Sequence, residues 1–168
     1  KSHRAHFTME SYLQTFLEKN HIKYTLYTHP AVFTCEEADL HCKHVPGTPA
    51  KNLFLQEDQN EQYFLVMLPA EKKLNINSLS KLLNVKKLKF ANEEKLKEIL
   101  HLTPGSVSIL GLIHDTERKV KLIIDKELWD TKVINSHPNI NTESLVFDKE
   151  NFHTLAEILC KEYKVETL

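Results

Sequence analysis

The chain has 168 residues, of which 41% are hydrophobic and 27% are charged, and its formal net charge is −1. This length suits a single domain with a sizeable core. The near-zero charge provides no broad basic field for long nucleic acids, which argues against DNA as a partner. Because no apolar run approaches the roughly 20 residues of a membrane-spanning helix, we also expect no membrane contact.

The N-terminal segment and the cysteines bear on domain limits and cellular location. The stretch before Met9 resembles the remnant of an expression tag, so we exclude residues 1–8 and expect one domain over 9–168. Three cysteines without a CxxC pair suit a reducing compartment better than a disulfide framework. We therefore expect a cytoplasmic protein.

Hydrophobic periodicity predicts short helices and strands in alternation. The predicted helices cover 9–20, 34–40, 77–84, 92–100 and 150–163. The predicted strands cover 22–29, 51–56, 62–69, 106–113, 120–125 and 132–135. Thr34 and Glu37 have the spacing of a capping box, and Asn77 and Asn92 are predicted N-caps. Since hairpin-length turns join several strands, this order favours an α+β fold with a mixed or antiparallel sheet over a doubly wound fold.

Lys51 is a lone cation at the point where a loop rich in glycine and proline meets an apolar strand. It is either an edge residue that reaches solvent or a ligand for an anion. The three glycines, Gly47, Gly105 and Gly111, lie beside predicted strand ends, where the chain turns sharply or a ligand approaches the backbone. Each glycine alone is more often an ordinary turn residue. The same holds for His137, which lies in a polar segment before a proline.

Familiar metal-binding and catalytic motifs are missing from the sequence. Cys35, His41, Cys42 and His44 lie close together, but adjacent His41 and Cys42 point in different directions, and no second pair completes a tetrahedral zinc site. No GxSxG motif marks a nucleophilic serine, and no paired carboxylates indicate acid–base catalysis. The sequence therefore predicts neither a metal site nor a nucleophilic triad.

Five segments of the chain are together similar to one family of editing domains. The order of motifs in the YbaK/prolyl-tRNA-synthetase-associated editing domain family is matched by YTHPAVFTCEEA, GTPAKNLFLQ, YFLVMLPAEKKLNINSLSKLL, TPGSVSILGLIHD and SHPNINTES. The resemblance extends from about Tyr24 to the C-terminal helix. It is greatest to the branch that deacylates alanine mischarged onto proline tRNA.

The resemblance implies a mixed, strongly curved sheet that closes toward a barrel, with helices packed around it. It also implies an activity: hydrolysis of the ester that joins a wrong amino acid to the terminal adenosine of tRNA, with no metal or organic cofactor. The implied partners are the acceptor end of tRNA(Pro) and, as a second candidate, prolyl-tRNA synthetase.

The resemblance further implies three catalytic positions. Lys51 matches the family's essential lysine, which holds the terminal phosphate and the aminoacyl end. Gly105 matches the first residue of a G-x-x-x-P loop whose backbone helps to position the hydrolytic water, and His137 matches the pocket histidine. The candidate substrate-binding residues around them are Val32, Thr34, Asn52, Ser106, Gly111 and Asn139.

Three residues depart from the family's pattern. Ile109 and Leu110 stand where the loop usually has a proline and an aromatic residue, and His114 stands where an asparagine is usual. Losing the proline removes a fixed φ from the loop. Three alternatives therefore stay open: a deacylase for cysteinyl-tRNA(Pro), a non-catalytic module that binds tRNA or a synthetase, and, ranked last, a hydrolase of small esters.

Overall fold

The computed structural model describes residues 11–136, 142–160 and 162–168, so residues 1–8 lie outside it. In these ranges the helices are α1 (Ser11–Lys19), α2 (Cys35–His41), α3 (Ile76–Leu82), α4 (Glu93–Leu100), α5 (Lys126–Asp130) and α6 (Lys149–Leu159), with a 3₁₀ helix at Ile109–His114. The strands are β1 (Thr25–Thr28), β2 (Thr48–Glu57), β3 (Tyr63–Pro69), β4 (Leu88–Phe90), β5 (Val120–Asp125), β6 (Val133–Ser136), β7 (Glu143–Asp148) and β8 (Lys164–Glu166). No helix in the described ranges is long and apolar enough to cross a membrane.

The strands form one mixed sheet in the order β1-β7-β6-β2-β3-β5-β8, with β4 attached to β2. Strand β2 is antiparallel to β3 and β4 but parallel to β6. Strand β5 is parallel to both of its neighbours. Because β1 and β8 end the order without pairing to each other, the described sheet stays open. The predicted α+β fold with a mixed sheet is confirmed. The described sheet does not close into a full barrel.

Strand β2 separates two hydrophobic clusters because its side chains alternate between the two faces of the sheet. Phe54 belongs to the larger cluster, together with residues of α1, α4 and α6. Leu55 belongs to the smaller cluster, which includes Leu79 of α3 and Leu88 of β4. All residues of β3 are buried, so the predicted β2–β3 hairpin is the centre of the fold.

The N-caps of α3 and α4 are both asparagines. Asn92 caps α4 as predicted, since its Oδ1 accepts a hydrogen bond from Lys95 N at 2.8 Å. Helix α3 is capped by Asn75 instead of Asn77, because Asn75 Oδ1 accepts from Ser78 N at 3.0 Å. The prediction of Asn77 as a cap is therefore wrong, and this residue lies inside the first turn.

The predicted strand 106–113 is wrong, because the chain forms a 3₁₀ helix from Ile109 onward. Ser108 starts this helix: its Oγ accepts from Leu110 N at 3.0 Å, and its backbone oxygen accepts from Gly111 N at 3.0 Å. Ile109 and Leu110 are fully buried in the larger cluster. A short apolar run is compatible with either a buried strand or a buried helical turn, so periodicity alone could not separate the two.

Candidate functional site

A cleft of about 450 Å³ opens beside the first residues of β2. Its walls come from the segments before and after α2, the 105–107 loop, and strands β6 and β7. Five of the predicted site residues line it: Val32, Thr34, Lys51, Asn52 and Gly105. Ser106 and Gly111 do not line it, and the predicted His137 and Asn139 lie outside the described residues.

Lys51 is a half-buried cation of this cleft, carried by β2 opposite Leu68 of β3. It forms no ion pair with any carboxylate in the described part of the chain. The described lining contains no aspartate or glutamate, whereas Lys43 adds a second ammonium group. Two cations without a counter-ion among the described residues attract an anionic ligand, which supports the interpretation of Lys51 as an anion-binding residue.

The segment before α2 forms the wall on which Val32 and Thr34 lie. One half of the predicted capping box is confirmed, since Thr34 Oγ1 accepts from Glu37 N at 3.1 Å. The reciprocal bond is shifted by one residue, because Glu37 Oε1 accepts from Phe33 N at 2.7 Å. These bonds fix the turn that carries Val32, which is almost fully buried, and Phe33, which is 67% exposed at the cleft. The wall therefore presents an apolar floor and an open aromatic face.

Gly105 lies in the loop opposite this wall and has a φ of +91°, a left-handed conformation that favours glycine. A Cβ atom at this position would lie 3.0 Å from Phe33 Cδ1. Ser106 follows in the same turn, and its backbone N donates to Thr103 O at 3.1 Å. The φ angle therefore favours glycine at position 105, and the absence of a side chain lets Phe33 approach closely and leaves the backbone exposed beside the cleft.

Gly111 serves the packing of the core. A Cβ atom there would lie 2.7 Å from Leu102 Cδ1 and 3.2 Å from Leu100 Cβ, so the 3₁₀ helix approaches the end of α4 closely. Ile109, which replaces the loop proline of the family pattern, is fully buried in the larger cluster. The loop is thus anchored by apolar packing where the family pattern has a proline.

Asn52 and Ser136 carry buried polar atoms at the cleft. Both residues line it, yet Asn52 Nδ2, Asn52 Oδ1 and Ser136 Oγ are buried and have no hydrogen-bond partner among the described residues. Buried polar groups in native proteins are nearly always paired, and each exception calls for an explanation such as a water molecule or a ligand. These atoms are therefore available to form hydrogen bonds with a ligand in the cleft.

A histidine and a serine that the sequence analysis missed form a hydrogen-bonded pair at the cleft. Ser144 of β7 lines the cleft, and its Oγ lies 3.0 Å from His29 Nε2. His29 Nδ1 lies 2.9 Å from Pro30 O. His29 belongs to the YTHPAV segment, but its partner is more than a hundred positions away, and sequence spacing gives no signal for such a contact.

Cys42 also lines the cleft as a free, half-buried thiol. Burial raises the pKa of this thiol above its ordinary value. The protonated form therefore predominates at neutral pH, which makes Cys42 a poor nucleophile. No metal-binding group of three or more histidine, cysteine or acidic residues occurs among the described residues.

Comparison with known proteins gives the family. The model of the aminoacyl-tRNA editing domain matches residues 29–155. A prolyl-tRNA editing protein, ProX of Acetoanaerobium sticklandii, is 31% identical over 141 residues, which cover 84% of this chain and 86% of the relative. Prolyl-tRNA synthetase associated domain-containing protein 1 of Danio rerio is 37% identical over 135 residues, which cover 79% of this chain and 73% of the relative.

A solved structure adds to this at the level of the fold. The crystal structure of a candidate trans-editing enzyme for prolyl tRNA synthetase superposes with a TM-score of 0.72 and covers 93% of both chains. Its sequence identity of 18% is low, so this likeness speaks for the fold alone. The domain model spans most of the chain and the relatives match it over most of their own length, and the chain therefore belongs to the aminoacyl-tRNA editing domain family.

Proposed function

We propose that this chain is an editing deacylase that hydrolyses the ester joining alanine to tRNA(Pro). The observation that carries the proposal is Lys51, an ammonium group without an ion-pair partner among the described residues, in a cleft whose described lining has no carboxylate. Membership of the editing-domain family supplies the reaction class. The names of the two relatives point to proline tRNA as substrate and to prolyl-tRNA synthetase as a partner.

The proposed reaction needs little covalent participation by the protein. An aminoacyl ester is already activated, so positioning and electrostatic stabilisation can supply most of the rate enhancement. A water molecule attacks the aminoacyl carbonyl with help from the adjacent ribose hydroxyl, and the tRNA leaves as the alcohol. Lys51 binds anionic oxygens of the terminal nucleotide, and the backbone at Gly105 orients the water. His137, which lies outside the described residues, keeps the role of pocket histidine that the family resemblance implies.

Phe33 suits the terminal adenine in this proposal. Its ring is 67% exposed, lines the cleft and lies against Gly105. Unpaired bases at the end of an RNA stack on exposed aromatic side chains, a contact worth about 1–3 kcal/mol per base. We assign Phe33 to hold the adenine at the cleft mouth, while the aminoacyl group enters alongside Val32.

Selectivity for alanine over proline is proposed to be steric. Val32 and Val45 are buried residues of the cleft wall, so their side chains set a firm limit to the space beside the aminoacyl group. A pocket that admits alanine cannot strongly reject glycine or serine, because one small group changes binding by only about 1–3 kcal/mol. The cyclic side chain of proline is excluded by overlap with the wall.

The test is a deacylation panel on the purified chain. Alanyl-, cysteinyl- and prolyl-tRNA(Pro) and alanine methyl ester are compared as substrates. Fast release from alanyl-tRNA(Pro) alone supports the proposal, and fast release from cysteinyl-tRNA(Pro) would support the alternative substrate. Equal rates on the free ester and the tRNA would indicate a small-ester hydrolase. Binding of all tRNAs without hydrolysis would indicate a non-catalytic module.

The Lys51→Met variant tests the residue that carries the proposal. A hydrogen bond to a charged group contributes about 1.5–3 kcal/mol, so its loss should lower kcat/KM for alanyl-tRNA(Pro) by about 10- to 150-fold. Lys81→Met is the matched control, since Lys81 is an exposed lysine of α3 outside the cleft lining. Equal activity of the two variants would remove Lys51 from the proposed site.

A further inference from the structure

The hydrogen bonds of His29 determine which way the Ser144 hydroxyl points. A carbonyl oxygen can only accept, so the contact of 2.9 Å to Pro30 O requires a proton on His29 Nδ1. In the neutral imidazole, Nε2 is then an acceptor, and Ser144 donates its hydroxyl proton to it across 3.0 Å. Both residues are more than nine-tenths buried, which keeps this arrangement in place. Ser144 Oγ therefore retains only acceptor capacity toward the cleft.

The strand register relates Ser144 to Lys51. Pro49 of β2 pairs with Asn135 of β6, and Asn135 pairs with Val146 of β7. Lys51 is two residues beyond Pro49, and Ser144 is two residues before Val146 on the antiparallel strand, so both steps run the same way along β6. Steps of two residues keep a side chain on the same face of a sheet. Lys51 and Ser144 therefore project from the same face, on the two strands that flank β6, and both line the cleft.

The two sides of this face differ in charge. Lys51 places a cation on the β2 side, Ser144 Oγ places an acceptor on the β7 side, and the described lining of the cleft has no carboxylate to bind an ammonium group. The end of an aminoacyl-tRNA has the complementary pattern, because it carries a phosphate and, beyond the ester, an α-ammonium with several N–H donors. Lys51 attracts the phosphate and repels the ammonium, which directs the ammonium away from β2 and toward Ser144.

We propose that Ser144 Oγ is the acceptor that binds the α-ammonium of the aminoacyl group. In this arrangement His29 is a positioning residue: it holds the serine proton away from the ligand, so that an N–H donor meets a lone pair. The inference rests on the proposed function, since it takes an aminoacyl ester as the ligand. It adds that tight binding of the ligand requires a free α-amino group. This requirement follows neither from the chemistry of the ester nor from recognition of the tRNA.

A pair of ligands that cannot be hydrolysed tests this inference separately from catalysis. One is 3′-amino-3′-deoxyadenosine acylated with alanine, and the other carries propionate, which lacks only the amino group. Calorimetric titration of the wild-type chain should give about 10- to 100-fold tighter binding of the alanyl compound, as expected for a charge-assisted hydrogen bond. Hydrolysis of alanyl-tRNA(Pro), measured in parallel, decides the proposed function independently.

Variants at Ser144 then identify the residue responsible. Ser144→Ala should bind the two ligands with equal affinity, whereas Ser144→Thr keeps the hydroxyl and should retain the preference, so one of the two remains informative if the other fails to fold. Ser78→Ala, an exposed serine of α3, is the matched control and should behave as the wild type. The inference is overturned if the wild-type chain binds neither ligand or binds both equally, or if Ser144→Ala keeps the preference.

Discussion

Replacing Asn52 by leucine should make the protein more stable and less active. Both polar atoms of the Asn52 side chain are buried without a hydrogen-bond partner among the described residues, and an unsatisfied buried polar group costs about 1–3 kcal/mol. Leucine has the same number and branching of side-chain heavy atoms, so it occupies the same space without that cost. We therefore expect the free energy of unfolding to rise by about 1–3 kcal/mol, with Tm rising by about 2–4 °C for each kcal/mol.

Urea denaturation measures the gain in stability of Asn52→Leu, and deacylation of alanyl-tRNA(Pro) measures its loss of activity. The loss should be about 2- to 10-fold, because leucine cannot supply a neutral hydrogen bond of about 0.5–1.5 kcal/mol to the substrate. Asn92→Ala is the control: its Oδ1 is already bonded to Lys95 N at 2.8 Å, so it should lose about 1 kcal/mol of stability. If Asn52→Leu is destabilised as much as this control, the reasoning about the unpaired amide fails.

Two further predictions concern stability. Hydrogen bonds from Lys86 N and then from the Asn60 amide hold the pKa of Glu57 below its ordinary value of 4.5, so their stabilisation is present above that value and lost as pH falls through the folded pKa. Urea denaturation should therefore show Glu57→Gln less stable than wild type at pH 7, with the difference narrowing as pH falls below 4.5 and through the folded pKa; a constant difference would contradict this. Gly111→Ala should lower the free energy of unfolding by about 1–3 kcal/mol through overlap with Leu102, and unchanged stability would refute the close packing.

The parts of the fold that the sequence predicts are those with a strong local signal. The β2–β3 hairpin has two long apolar runs with a short polar turn, and α4 has an asparagine cap before a periodic stretch. The short strands β4 and β8 were missed because three residues give no periodicity, and they are held by pairing to distant strands. Strand β7 was missed since its beginning lies in a segment rich in turn-forming residues.

The residues of the candidate site likewise divide into those that the sequence predicts and those that it does not. Lys51, Gly105 and Val32 were found because family motifs surround them, and the cleft brings them together. Ser144 and His29 were missed because a hydrogen bond between residues so far apart depends on the pairing of β1 with β7. Gly111 was predicted to bind the substrate because it is one of only three glycines in the chain. In the structure its missing side chain allows the 3₁₀ helix to pack closely against the end of α4.

The parallel pairing of β2 with β6 also bears on how the protein acquires its cleft. Only two residue pairs form this junction among the described residues, Thr48 with Ile134 and Pro49 with Asn135, and it lies next to Lys51. Joining segments so far apart requires closing a long loop, whose entropy must be lost before the new contacts compensate. The hairpin of β2 and β3 is local in sequence, but the cleft exists only after β6 and β7 have docked. These strands also supply Ile134, Leu145 and Phe147 to the larger cluster, so the cleft and this part of the core are completed together.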